Sequence, residues 1–351
     1  MSEIIRFKMR YAARTLLLAL TFSFIYLIAF RHPAQAQNNF PTPPGFHVEK
    51  VRRAFKGTKT EFNWVKVSDA YLAMYLYEGA QNSAFDRKLQ KRYDRNLVKY
   101  SAMASDWSQT LVKFNQWLLN AGVDFLDHSL KQGPIQMVID PMVDLTETNA
   151  RFDFEKLEPS TETDWWVDVW MEPTRDVDYL FGYKPVMIHE FGHFIFHSYL
   201  SRGGMIPKDR GFVNFTLGPI DEAFADAVSY EFTGEPLVGK RYDYTQKSTI
   251  EFRRALSSPA EDRVKVRQGM WDYKIMDGDD HVRGQPFRDV LIEISKDYGL
   301  ASQFQLVEEI QKKLTLPDSA VMSTTSTRAE VNAEFNQVIS RVLARYPRLT
   351  K

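Results

Sequence analysis

The stretch "MIHEFGHFIFHSYL", Met187 to Leu200, places three histidines four residues apart and a glutamate inside an apolar run. On a helix, residues i and i+4 share one face about a turn apart. His189 and His193 can therefore turn two imidazoles toward one ion, with Glu190, the next residue along, directed at a water in an open coordination position. The neighbouring "VMI" and "FIFHSYL" carry enough apolar side chains to bury such a helix. Gly192 costs about 1 kcal/mol of helix propensity relative to Ala, a cost expected where a side chain would crowd a metal. His197 continues the spacing, but each step of four turns about 40° further round the helix, so it is expected in packing rather than at the ion.

Two histidines do not complete a catalytic zinc site, which takes three protein ligands and leaves a place for water. The chain has no cysteine, so the third ligand must be His, Asp or Glu. "GPIDEAFADAVSY", Gly218 to Tyr230, supplies Glu222 and Asp226 at i and i+4, and its Ala223, Ala225 and Ala227 permit close helix packing. A carboxylate pair buried beside alanines is costly without a cation or donors. Glu222 is the candidate ligand, and Asp226 the acceptor for the second ring nitrogen of His189. Asp221 points away from Glu222 by about 100° and is expected to offset the dipole at a helix start.

The pair "HEFGH" and "GPIDEAFAD" resembles the gluzincin metallopeptidases, the thermolysin-like clan, whose pattern is HExxH followed by a helix with E-A-x-x-D. The resemblance implies an α+β, thermolysin-like fold, with a β-containing lobe, then a helical lobe, and a zinc cleft between. It implies His189, His193 and Glu222 as ligands to Zn2+, Glu190 as general base and Asp226 behind the ligands. By the same resemblance, His281 in "DDHVRGQPFRDVLIEI" would donate to the transition-state oxyanion, and Asn149 and Ala150 in "TNARFDF" would lie on an edge strand that pairs with extended substrate. The aminopeptidase signature G-x-M-E-N is absent, which favours an endopeptidase acting on peptide or protein. Twenty-eight residues, 194–221, separate His193 from Glu222, a longer spacer than the family's; its loop is expected near the cleft. The competing expectation is an exported, non-catalytic metal-binding scaffold or interaction module on the same fold.

The remainder of the chain sets bounds. With 351 residues, 44% apolar and 26% charged, it is long and apolar enough for a large core. Equal counts of basic and acidic residues, 45 each, remove any global electrostatic case for nucleic acid. Arg6, Lys8, Arg10 and Arg14 precede the apolar "LLLALTFSFIYLIAF", and "AQA" follows at Ala34 to Ala36. This order reads as a secretory signal. The alternative is an uncleaved anchor over residues 11–30 with the basic end cytoplasmic; both place the bulk of the chain outside, periplasmic, secreted or membrane-attached. Removing residues 1–36 takes away five basic residues and one acidic, leaving a formal charge of −4.

Along the chain, "NNFPTPPGF" reads as a tether. Val67 to about Asn120 reads as helical, so residues 37–130 are expected to be linker and a helical N-terminal region, and residues 131–351 the catalytic domain. "PIQMVIDPMVDL", "NARFDFEKL" and "DWWVDVWME" read as strands. Helical patterns follow at about 185–200, 219–232, 286–298, 303–314 and 328–345. "DGDD", Asp277 to Asp280, is expected to be a solvated turn because it lacks calcium-loop spacing, and "STTST", Ser323 to Thr327, an inter-helix linker.

Overall fold

The computed structural model describes residues 42–53, 62–77, 84–131, 133–140, 149–156, 163–170, 184–200, 213–235, 238–243, 248–253, 258–271 and 280–347. The signal or anchor over residues 1–36, most of the 194–221 spacer's loop and Asp277 to Asp279 lie outside these residues. Among the described residues no helix is long and apolar enough to cross a membrane.

A sheet lobe precedes a helical lobe. The sheet contains β1 (His47–Arg53), β2 (Phe62–Ser68), β3 (Leu72–Tyr77), β4 (Ile135–Asp140), β5 (Asn149–Lys156) and β6 (Thr163–Trp170), in the spatial order β1-β2-β3-β4-β6-β5. It is parallel through its centre, β3 with β4 and β4 with β6, and antiparallel at both ends. A parallel neighbour requires a long crossover, which α1 (Ala84–Leu119) and α2 (Phe125–Leu130) provide between β3 and β4. Tyr100, Met103, Ala104, Trp107, Leu111, Phe114 and Leu118 of α1 are buried at helical spacing, the stripe expected of a helix covering a core.

Two readings of the N-terminal part are corrected here. "LAMYLY" is strand β3, not helix, and all six of its residues are buried; a continuous apolar run in a strand covered on both faces carries no alternation to distinguish it from a buried helix. β1, β2 and β3 therefore stand where a helical region was expected, and they share one hydrogen-bonded sheet with β4 to β6 from beyond residue 130.

The helical lobe starts with α3 (Lys184–Phe194), which continues into a π turn at Ile195–Tyr199. All of Pro185 to Phe194 is buried, so α3 lies between the sheet and the other helices. Phe191 and Phe194 pack on Phe125 of α2, with ring centroids 5.9 and 5.7 Å away. Helix α4 (Val213–Thr233) starts six residues earlier than its sequence pattern suggests and carries Pro219 inside. The hairpin β7 (Val238–Asp243) and β8 (Ser248–Arg253) and the short α5 (Ala260–Arg267) have no counterpart in the sequence reading. Helix α6 (Asp280–Tyr298) also starts early, bringing His281 into its first turn, and α7 (Leu300–Leu314) and α8 (Arg328–Leu343) complete the lobe. Thr327 of the "STTST" linker caps α8 through a capping box with Glu330.

Three helices meet at glycine and alanine. A Cβ on Gly192 would stand 2.7 Å from Ala225 Cα, and one on Gly284 would run into the backbone of Pro219 and Ala223. Gly192 thus serves the α3–α4 contact rather than making room for a metal, which corrects the sequence reading. We expect Gly192→Ala to lose about 1–3 kcal/mol of stability through this overpacking, measurable by denaturant unfolding of the metal-free protein.

Glu231 of α4 is partly buried near Ser295 of α6 and Gln303 of α7, and burial pushes its carboxyl from 4.5 up to about 7. The fold therefore prefers the protonated acid, so stability is lost as pH rises from about 4.5 through about 7. Glu231→Gln is expected to remove that step and to gain about 1–3 kcal/mol at pH 8, read from unfolding midpoints at pH 5 and pH 8.

Candidate metal centre

Three elements converge on one point. Helix α3 presents His189 and His193 with their Nε2 atoms 3.0 Å apart. Helix α4 crosses at the Gly192–Ala225 contact and brings Glu222 Oε2 to 3.2 Å from His189 Nε2 and 3.5 Å from His193 Nε2. Helix α6 adds His281, whose Nε2 is 2.9 Å from the same Glu222 oxygen and whose ring stacks on His189 with centroids 5.7 Å apart. Both α3 histidines are buried, the Glu222 side chain is 19% exposed, and His281, at 31%, forms the rim.

The donor set fits a divalent cation. A tetrahedral zinc ion with ligands at roughly 2.0–2.1 Å holds them about 3.3 Å apart; the three edges here are 3.0, 3.2 and 3.5 Å. Glu222 Oε2 is buried among imidazole nitrogens and makes no hydrogen bond of good geometry to any of them. Once metal displaces the ring protons, two imidazoles and a carboxylate turn lone pairs toward a common centre. Imidazole with carboxylate suits zinc among the first-row divalent metals.

Behind these atoms lies a layer of carboxylates. His189 Nδ1 is 2.8 Å from Asp226 Oδ1, on a side chain 2% exposed. His193 Nδ1 is hydrogen-bonded to Asp221 Oδ1 at 2.7 Å, and Asp221 Oδ2 to His197 Nε2 at 2.7 Å. Because α4 starts at Val213, Asp221 sits two turns inside it rather than at a helix start. The expected dipole role is therefore replaced by a bridge between two histidines. His197 is buried and joins this network instead of merely packing. A signal for both was present in the sequence, since Asp221 adjoins Glu222 and His197 extends the four-residue spacing. Which acid faced which ring depended on the helix crossing.

Glu190 is buried and directed away from the carboxylate layer. Its Oε2 accepts a hydrogen bond from the Phe152 amide on β5. Since that amide points away from β6, the alternation of antiparallel pairing turns the Ala150 backbone groups the same way, toward the side on which no described strand pairs with β5. Asn149 and Ala150 are thus on the edge strand bordering Glu190, paired by register with Trp170 and Val169.

No protein-family model, curated protein or solved structure matches this chain. The site itself carries the assignment that can be made. His189, Glu190 and His193 with Glu222 form a cluster resembling an HExxH-type zinc-binding motif, capable of chelating a divalent ion, in a two-lobed architecture consistent with zincin-like proteases.

The electrostatics bear on metal binding. Burial opposes the charged form of His189, yet Asp226 and Glu222 prevail and raise its pKa; His193, likewise buried, is held well above the usual imidazole range by Asp221 and Glu222. Burial pushes Glu222 up, but the histidines hold it well below the usual carboxylate range. In the metal-free protein the histidines' contribution to stability is complete below about pH 6.5 and is lost as pH rises through their raised values. The glutamate's contribution is lost as pH falls. Metal displaces the ring protons, so zinc binding near neutral pH should release protons, and affinity should fall with falling pH. Calorimetric titration in two buffers of different ionisation enthalpy checks this, and His189→Ala with His193→Ala should abolish stoichiometric uptake.

Proposed function

We propose that the protein is a zinc-dependent peptidase of the gluzincin type, an endopeptidase acting on an extended segment of peptide or protein. The observation that carries the reading is the juxtaposition of a His189–His193–Glu222 donor set with a buried Glu190 that touches the edge strand β5. A metal ion alone would be a structural site. A carboxylate beside it, held by the strand on which an extended chain could pair, is an arrangement for hydrolysis.

Zinc bound there would polarise the scissile carbonyl and lower the pKa of a coordinated water. Glu190 would accept a proton from the attacking water and return it to the nitrogen of the departing amine as the C–N bond breaks. The Phe152 N–H occupies one of its oxygens and fixes the carboxylate's orientation, leaving the other for proton transfer. Asp226 sets the tautomer and ring plane of His189. His281, on the rim, presents a ring nitrogen where charge develops on the carbonyl oxygen, and donors matched to that charge act mainly in the transition state. The backbone of β5 around Asn149 and Ala150 pairs with substrate as an added strand, which recognises main chain rather than side chains. The signal-like residues 1–36 support an extracytoplasmic location for this activity.

The experiment is cleavage of a mixed peptide library, read by mass spectrometry, with zinc-loaded protein and a metal-matched Glu190→Gln variant. Loss of the proton acceptor should lower kcat by about 10²–10⁴-fold at unchanged zinc content. His281→Ala should lower kcat by about 10²–10³-fold with little change in KM. Absence of cleavage by zinc-replete parent protein would overturn the peptidase reading and favour a non-catalytic metal scaffold.

A further inference from the structure

His197 has no part in the proposed chemistry, yet it is buried and placed with care. It lies in the π turn that ends α3, where the carbonyl of Ile195 accepts from Leu200 N–H, five residues on. Gln311 of α7 reaches in from another helix to donate to the Phe196 carbonyl at 2.9 Å. A π turn is seldom retained without a use, and such turns gather at functional sites. Here its effect is specific: it turns the His197 ring so that Nε2 meets Asp221 Oδ2 at 2.7 Å while the ring face stacks on Phe152, with centroids 6.0 Å apart and planes at 17°.

Each of those two contacts leads back to the centre by a different route. Asp221 spends its other oxygen on His193 Nδ1. With both ring nitrogens donating, the carboxylate is gripped from two sides and cannot rotate without breaking a buried hydrogen bond. Phe152 lies on β5, and its amide holds Glu190. We infer that His197 is a positioning residue of the metal centre: its Nε2–H locks Asp221 so that Asp221 orients the ligand His193, and its ring face ties that ligand to the strand that holds Glu190. A single buried imidazole thus sets the register between α3, α4 and β5. The inference rests on the metal reading above and deepens it. It assigns His197 no contact with metal or substrate.

The two contacts separate by substitution in the full chain. His197→Phe keeps an aromatic ring against Phe152 and removes the donor to Asp221. His197→Gln places an amide N–H near the lost Nε2 and removes the ring. Zinc affinity is measured by competition with a chromophoric chelator, and ligand geometry by the visible d–d bands of the cobalt(II)-loaded protein. Loss of an outer hydrogen-bond partner typically weakens metal binding by about 10–100-fold; we expect about tenfold weaker zinc binding and displaced cobalt bands for His197→Phe, and an affinity within about threefold of the parent for His197→Gln. Parent-like affinity and spectrum in His197→Phe would overturn the inference, as would an equal loss in His197→Gln, which would assign the effect to ring packing. Should His197→Phe not fold, Asp221→Asn decides, since an amide can accept from only one of the two rings: weakened affinity is expected, and parent-like affinity overturns the inference. If the parent binds no zinc, the metal reading fails and this inference falls with it; if the parent binds zinc and the variants match it, this inference alone fails.

Discussion

The approach of α3 to α4 at Gly192 and Ala225 is the constraint on which the site depends. Glu222 is three residues before Ala225, and its short reach to the His189 and His193 rings exists only because the two helices touch through backbone and a methyl group. A side chain at residue 192 would push α4 outward and open all three edges of the ligand triangle together. The same small-residue logic brings α6 onto α4 at Gly284, which is how His281 reaches Glu222. The candidate ligands and the helix contacts are thus a single packing solution.

That solution buries charge. His189, Asp226, His193 and Asp221 would each be expensive alone in an apolar interior, and each has a polar partner within 2.8 Å. Buried pairs of this kind contribute little net stability compared with well-packed apolar groups, but removing one partner leaves the other uncompensated. They hold ring orientation, which a metal ligand needs and a hydrophobic core does not. Phe152 and Phe196, both buried, pack their rings on His197, with centroids 6.0 and 5.3 Å away.

The sheet contributes direction. Because β6 inserts between β4 and β5, β5 is the terminal strand among the described residues, and its Phe152 amide, on the side away from β6, meets Glu190.

Much of the centre was legible in one dimension. Histidines at i and i+4 must share a face of any helix, acids at 222 and 226 must share a face of another, and alanines between them call for close packing; helical periodicity makes these statements true before any tertiary contact exists. The strands β4 to β6 were readable for the same reason, being short runs broken by turn residues. What sequence could not supply was anything set by the crossing of elements. The run "LAMYLY" has no periodicity because both of its faces are covered, so only the sheet reveals it as β3. Asp221 looked like a helix-start charge because Pro219 looked like a helix start, and only the path of α4 from Val213 turns it toward His193. The π turn that brings His197 under Asp221 adds a residue to one turn of helix, a shift invisible in spacing. Local residue order determined which groups could bind a metal; the contact at Gly192 and Ala225 decided that they meet, because distances between helices are set by packing and not by position in the chain.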